Sequence, residues 1–114
     1  MTKRKKARNI PIELGSRNVY ADLGFADAED MLVKAQLVTK IAELIRDQNL
    51  TQHIAAQILG LTQPKVSAML RGQFRGISER KLLNCLTRLG RDVQIVIKQA
   101  PRRRAEGRLT ILFT

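Results

Sequence analysis

The sequence is poor in the residues that build metal sites and nucleophilic active sites. Its 114 residues include one cysteine, one histidine and no tryptophan. A single cysteine excludes an intramolecular disulfide and indicates a reducing compartment. His53 and Cys85 cannot form a typical structural zinc site, and neither stands in a nucleophile setting with a visible base. We therefore expect no metal, no cofactor and no enzymatic activity, and Cys85, which lies among leucines, is predicted to fill the core.

Long apolar runs are also missing. No segment approaches the ~20 apolar residues that span a bilayer, and the basic run from Lys3 to Arg8 is not followed by the apolar region of a signal peptide. A cytoplasmic location is therefore predicted. The hydrophobic content of 44% is enough for one small domain with a modest core.

Acidic residues are few, and their distribution is uneven. The chain has 10 acidic and 21 basic residues, which gives a net charge of +11. This excess favours an anionic partner, with nucleic acid as the first candidate. Residues 51–100 contain 8 basic and 2 acidic residues, whereas residues 21–50 contain 3 and 6. The second half is therefore the predicted DNA-binding part, and the acidic helix before it is not expected to lie against phosphates.

The stretch from Thr51 to Gly72 has the pattern of two short helices joined by a tight corner. Thr51 and Thr62 each precede an apolar-periodic segment, where a side-chain hydroxyl accepts from the unpaired N–H groups of a helix start. Gly60 lies between the segments and can adopt the positive φ that ends a helix. Pro64 falls in the first turn of the second helix, where its missing N–H breaks no hydrogen bond.

Helical periodicity separates two faces in this stretch. The apolar positions of the first helix are Ile54, Ala55, Ile58 and Leu59, with Ala56 small enough for a close crossing. The second helix is predicted to bury Val66, Met69 and Leu70. Its other face carries Gln63, Pro64, Ser67, Ala68 and Arg71, with Lys65 at the flank. This outward face has an amide suited to adenine, a small methyl suited to thymine, and cations suited to guanine or phosphate.

These residue types define the candidate DNA contacts. The predicted base-reading residues are Gln63, Lys65, Ser67 and Ala68. The predicted phosphate contacts are Gln52, Thr62, Arg71 and Arg75. Phosphate contacts position a protein on the duplex without reading its sequence.

The same stretch resembles the Xre/Cro-type (lambda-repressor-like) helix-turn-helix. The resemblance is carried by Gln52, Ala56, Gly60, Val66 and Gly72. The segments 18–37 and 90–97 are similar to the HigA-type antitoxin branch of that family. The resemblance implies a lambda-repressor-like helical bundle that represses transcription. If the antitoxin branch applies, it also implies sequestration of a partner toxin, usually an RNA-cleaving enzyme of the RelE-like fold.

The remaining chain divides into segments around this motif. Residues 1–9 form a basic arm that is predicted to be disordered, although such arms also follow the DNA backbone or enter a minor groove. Residues 10–26 are read as an ordered connector, and residues 27–91 as the helical DNA-binding domain. Within that domain Asp27 caps a helix that runs to about Asn49, and Ser78 caps a helix that ends at Gly90. Three basic residues of this last helix are predicted to point outward, namely Arg80, Lys81 and Arg88.

Residues 92–114 change to an alternating pattern. Val93, Ile95 and Ile97 alternate with other residues, and a second alternation around Ile111 follows the loop 99–108. We predict a C-terminal β-hairpin here. Because an isolated hairpin is marginal in water and leaves exposed edges, we expect it to form a homodimer through Val93, Ile95, Ile97 and Ile111. The predicted fold class is thus mainly α, with a helical bundle and a dimerising hairpin.

Several functions fit this pattern. The first is an antitoxin-type repressor that binds a palindromic operator in double-stranded DNA as a homodimer. A stand-alone prophage-type repressor is distinguished from it by the absence of a neighbouring toxin gene. A protein-interaction module that has lost DNA binding predicts no salt-dependent binding to its own promoter, since helix-turn-helix geometry also occurs without DNA.

Overall fold

Four α-helices follow one another along the part of the chain that the structure describes, residues 28–114 of a computed structural model. They are α1 (Ala28–Asp47), α2 (Gln52–Leu59), α3 (Gln63–Leu70) and α4 (Glu79–Arg88). The long helix α1 packs against α4 and α3, and α2 packs against α3 and α4. The predicted basic arm (1–9), the connector (10–26) and the Asp27 cap lie outside the described residues.

Hydroxyl caps begin three of the helices. The side-chain oxygen of Thr51 accepts from the Ile54 N–H at 3.1 Å, and that of Thr62 accepts from the Lys65 N–H at 3.3 Å. Ser78 caps α4 in the same way. All three caps were predicted from sequence and are confirmed. Each such cap stabilises a helix by about 0.5–2 kcal/mol, which matters for helices of only 8–10 residues.

The first helix ends through a left-handed residue. Asn49 has φ 56°, and the Leu50 N–H returns to the Ile45 carbonyl at 3.0 Å. Asparagine tolerates this conformation better than most residues other than glycine. The helix stops at Asp47, two residues before the predicted end, because the chain must reverse here to start α2.

One apolar core lies among the four helices. Its fully buried large side chains come from every helix and include Leu37, Ile41, Leu44, Leu59, Val66, Met69, Leu82 and Cys85. Phe74, in the connector between α3 and α4, is also buried. The predicted core role of Cys85 is confirmed, and desolvation by burial raises the pKa of its thiol, although the charges of Lys81 and Arg88 partly oppose that shift.

Three apolar positions differ from the sequence prediction. Ile54 was assigned to the apolar face of α2, but its side chain is 41% exposed. The core instead takes Ala55, Ala56 and Leu59 from this helix. Ile58 and Leu70, which were also assigned to apolar faces, are half-buried rather than buried. The physical reason is that each helix meets its neighbours along a narrower line than its apolar stripe, so residues at the edge of the stripe stay partly in solvent.

The C-terminal tail, Gln94–Thr114, belongs to a second compact unit, separate from the unit that contains the four helices and ends at Val93. No residue from 28 to 114 is in a strand, so the predicted β-hairpin over 92–114 is wrong. The two alternating segments are short and separated by a long loop, in which the Arg104 N–H bonds the Pro101 carbonyl at 3.1 Å. An isolated pair of strands buries too little apolar surface to offset the conformational entropy that is lost when such a loop closes.

Neither a membrane-spanning helix nor a metal-binding cluster occurs among residues 28–114. None of the helices there is long and apolar enough to cross a bilayer. The same residues contain no group of three or more histidine, cysteine, aspartate and glutamate side chains that would hold a metal ion.

Candidate nucleic-acid interface

The corner between α2 and α3 depends on Gly60. This residue has φ 69°, and the Leu61 N–H returns to the Ala56 carbonyl at 3.0 Å. A Cβ atom at Gly60 would also lie 3.3 Å from the guanidinium Nη1 of Arg88. Glycine therefore fits here for two reasons, since a side chain would be strained by the backbone angle and crowded by a neighbouring helix.

Two cations of α4 hold the end of α2. Lys81 Nζ donates to the Leu59 carbonyl at 3.1 Å, and Arg88 Nη1 donates to the Ile58 carbonyl at 3.1 Å. The last carbonyls of a helix have no partner within the helix and carry partial negative charge, so both contacts are favourable. The sequence analysis placed Lys81 and Arg88 on a solvated face, and their bracing role was missed. Their spacing of seven residues puts them on one side of α4, but their partners lie 22 and 30 residues away in sequence.

These braces and the core set the direction of α3. Val66 and Met69 are fully buried, whereas Gln63, Pro64 and Lys65 are exposed. The remaining predicted base-reading residues, Ser67 and Ala68, are half-buried. The face of α3 that the sequence predicted to be outward is therefore in contact with solvent. We call the outward residues 63, 64, 65, 67, 68 and 71 the reading face.

Three side chains on the reading face form one continuous ridge. Gln63, Ser67 and Arg71 follow one another at intervals of four residues, which places them along the same side of a helix. Arg71 Nη1 donates a hydrogen bond to the Ser67 hydroxyl oxygen, so the guanidinium turns back over the helix. The guanidinium therefore lies on the reading face, although Arg71 itself is the residue that ends α3.

The other side of the reading face borders a small cleft. Lys65 and Ala68 line a space of about 170 Å³ together with Gln73, Gly76 and Ile77. The chain reverses after α3 because the Gln73 N–H returns to the Ala68 carbonyl at 2.9 Å. Gln73 and Ile77 were not among the predicted site residues. No local pattern marked them, because the turn that brings them beside α3 also depends on how Phe74 is buried.

The predicted phosphate contacts lie at helix ends and in the connector. Gln52 is exposed and opens α2, and Thr62 is exposed and caps α3. The Thr62 oxygen already accepts from the Lys65 N–H, but its hydroxyl still has a proton to donate. Arg75 is exposed in the connector, and its backbone carbonyl accepts from Lys34 Nζ at 2.9 Å, which fastens the connector to α1.

The distribution of acidic residues separates the helices into two pairs. The first turns of α2 and α3 contain no acidic residue. In contrast, Glu29 and Asp30 lie in the first turn of α1, and Glu79 lies in the first turn of α4. Carboxylates at a helix start neutralise its partial positive charge. The positive helix ends of α2 and α3 are therefore the ones left available to an external anion.

The predicted dimerisation residues differ in exposure. Ile95 and Ile97 are 78% and 92% exposed, whereas Val93 and Ile111 are half-buried. Val93 is the last residue of the unit that contains the four helices, whereas Ile95, Ile97 and Ile111 belong to the unit that contains the tail. The tail also exposes Val96, Leu109 and Leu112. These exposed apolar side chains lie in two stretches of the tail, residues 95–97 and 109–112.

Comparison with known proteins agrees with this geometry. Residues 19–98 match the helix-turn-helix domain family. A solved structure of a protein named "Putative XRE Family Transcriptional Regulator" matches with a TM-score of 0.72 and 38% sequence identity, over 77% of this chain and 99% of that chain. None of the curated proteins matches this chain. The extent of the family match, together with this identity over nearly the whole of the relative, shows that the chain belongs to the XRE-type helix-turn-helix family.

Proposed function

We propose that this protein is a transcriptional repressor that binds a palindromic operator as a homodimer. As an XRE-type helix-turn-helix protein it is a DNA-binding transcriptional regulator. The proposal adds the direction of regulation, the symmetry of the site and the residues that contact it. A protein bound across a promoter blocks access to it, and this is the simplest mechanism of repression.

The orientation of α3 is the observation that carries the proposal. Its apolar side chains Val66 and Met69 are sealed in the core, so the helix is anchored while Gln63 and Lys65 remain in solvent. A recognition helix needs this arrangement, because it must enter the major groove with polar side chains and keep its position there. Gln63, Lys65, Ser67 and Ala68 are the proposed base-reading residues.

Phosphate contacts are proposed at Gln52, Thr62 and Arg75. Gln52 and Thr62 stand at the starts of α2 and α3, whose first turns lack acidic residues and so keep the partial positive charge of a helix start. Arg75 adds a positive charge on a connector that Lys34 holds in place. Arg75 therefore supports affinity for any DNA sequence, and its effect should weaken as salt increases.

A homodimer accounts for the exposed tail. Ile95 and Ile97 lie almost entirely in solvent, and burying them against a second copy would remove that apolar surface from water. A palindromic operator requires two recognition helices about one helical turn, ~34 Å, apart on a two-fold axis, which only a second copy of the chain can supply. We propose that Val93, Ile95, Ile97 and Ile111 contribute to this interface.

Replacing Gln63 with alanine tests the reading face. We expect the variant to bind the operator about 1–3 kcal/mol more weakly and to lose its preference at one base pair, because an amide that bonds adenine at two points would be missing. The measurement is fluorescence anisotropy with the promoter duplex of the protein's own gene and with a set of single-base variants of that duplex.

Arg80→Ala is a matched control for this experiment. Arg80 is exposed on α4 and lies off the reading face, so its removal costs one positive charge and no proposed base contact. The control should bind all duplexes slightly more weakly and keep the same base preferences. Equal losses for Gln63→Ala on the promoter and on random DNA would contradict the proposed reading face.

We also propose an antitoxin role, which rests on the HigA-type resemblance of the segments 18–37 and 90–97. The partner would be a RelE-like toxin, a basic RNA-cleaving enzyme, and the exposed Glu29 and Asp30 at the start of α1 offer it an acidic surface. Co-expression with the product of the neighbouring gene should yield a complex that copurifies. A Glu29→Lys/Asp30→Lys variant should no longer copurify with that gene product but should still bind DNA. A neighbouring gene product that never copurifies with the wild-type chain would favour a stand-alone repressor.

A further inference from the structure

We propose that Arg71 reads a guanine base in the operator, and that Ser67 holds the Arg71 guanidinium in position for it. The sequence pattern had assigned Arg71 to a phosphate. This inference rests on the proposed DNA-binding function and names a specificity-determining residue for it. A guanine presents two acceptors, O6 and N7, in the major groove, and an arginine fork bonds both.

The position of Arg71 on α3 is the first argument. Arg71 follows Pro64 by seven residues, or about two helical turns, so both lie near the centre of the side opposite the buried Val66 and Met69. A residue at the edge of a recognition helix meets the phosphate walls of the groove. A residue at its centre faces the base edges on the groove floor.

The direction of the side chain is the second argument. Arg71 ends α3, and a fully extended arginine there could reach away from the helix to the backbone of the DNA. Instead, its Nη1 donates to the Ser67 hydroxyl, four residues earlier. The guanidinium is therefore moved about one turn, ~6 Å, towards the start of α3. This brings the guanidinium from beyond the end of α3 to the level of Ser67, closer to the first turns of the helix, which contact base edges in a recognition helix.

The remaining hydrogen-bonding capacity is the third argument. A guanidinium has five N–H donors, and the Ser67 hydroxyl accepts one of them. Two parallel donors still remain for guanine O6 and N7. The contact with Ser67 also restricts the rotation of the Arg71 side chain in the free protein. The side chain therefore loses less conformational entropy when it binds a base.

Selection from a random-sequence duplex library tests the inference with the full-length chain. Wild type, Arg71→Ala, Arg71→Lys and Ser67→Ala are each used to enrich binding sites, and Arg75→Ala is the matched control. Lysine keeps the charge of Arg71 but cannot bond a guanine with a planar fork. A guanine contact therefore predicts that the alanine variant loses one guanine from the wild-type motif, with about 5- to 150-fold less discrimination there, and that the lysine variant keeps a weaker preference for it.

Ser67→Ala should weaken the preference at the same guanine, and also at a base that the Ser67 hydroxyl itself contacts. A double variant, Ser67→Ala/Arg71→Ala, should lose no more discrimination at that guanine than Arg71→Ala alone, because Ser67 acts there through Arg71. Replacing that guanine with 7-deazaguanine, which lacks N7, should reduce wild-type binding and leave Arg71→Ala unaffected. Arg75→Ala should weaken binding to every duplex and return the wild-type motif.

The outcomes separate this inference from the proposed function. A wild-type chain that enriches no motif would overturn sequence-specific binding as a whole, and the inference with it. A wild-type motif that Arg71→Ala also returns, at uniformly lower affinity, would overturn the inference alone and make Arg71 a phosphate contact.

Discussion

Replacing Leu59 with alanine is expected to lower the free energy of unfolding by about 2–5 kcal/mol. Leu59 has no exposed surface, and it lies at the end of α2, where the helix meets the core. The truncation would remove buried methyl groups and leave a cavity that four short helices cannot close without moving one another. A domain of this size has a total stability of about 5–15 kcal/mol, so the loss is a large fraction of it.

The measurement is urea unfolding followed by far-ultraviolet circular dichroism. The matched control is Ile54→Ala, a truncation of similar size on the same helix, at a side chain that is 41% exposed. The control should lose about 1 kcal/mol or less. The urea concentration at the midpoint of unfolding should fall for Leu59→Ala. The slope of the unfolding free energy against urea concentration should stay the same, which would show that stability changed and compactness did not. Equal losses at the two positions would contradict the packing described for α2.

Replacing both Ile95 and Ile97 with aspartate is expected to abolish the dimer and to weaken operator binding by a factor of about 10²–10⁴. Each aspartate would put a charge where the proposed dimer buries an apolar side chain. A monomer meets one half of a palindrome at a time, so the second half-site no longer benefits from the high effective concentration that the first contact creates. Affinity for an isolated half-site should change much less.

The control for this variant is Gln94→Asp/Gln99→Asp. It adds the same two negative charges to exposed positions of the same tail, so it reproduces their repulsion of DNA without touching an apolar side chain. Light scattering coupled to size-exclusion chromatography gives the oligomeric state, and anisotropy gives the affinities for full and half operators. A wild-type chain that is monomeric when bound to the full operator would refute the proposed dimer. So would an aspartate variant that remains dimeric.

Most of the helical boundaries could be predicted because the responsible interactions are local. The hydroxyls of Thr51 and Thr62 accept from N–H groups three residues later. The positive φ of Gly60 serves a hydrogen bond that closes within five residues. The outward face of α3 also followed from sequence, because the burial of Val66 and Met69 repeats with the period of the helix itself.

The errors arose where a residue's environment comes from distant parts of the chain. Ile54 fits an apolar stripe, but the neighbours of α2 cover that stripe only on the side of Ala55 and Leu59. The alternation in the tail resembles strands, yet alternation alone supplies no partner for the backbone hydrogen bonds of a strand. The sequence pattern of one segment does not contain the position of the other segments that pack against it.

The amino-acid sequence by itself determined where α2, α3 and α4 start, where α2 ends, which side of α3 is polar, and that the chain carries an excess of positive charge. Only the tertiary structure decided that Lys81 and Arg88 hold the end of α2. The reason is one of range. Caps and periodicity act over about one to two turns of chain, whereas the braces join side chains to carbonyls 22 and 30 residues away. Such contacts exist only after the core has brought the helices together.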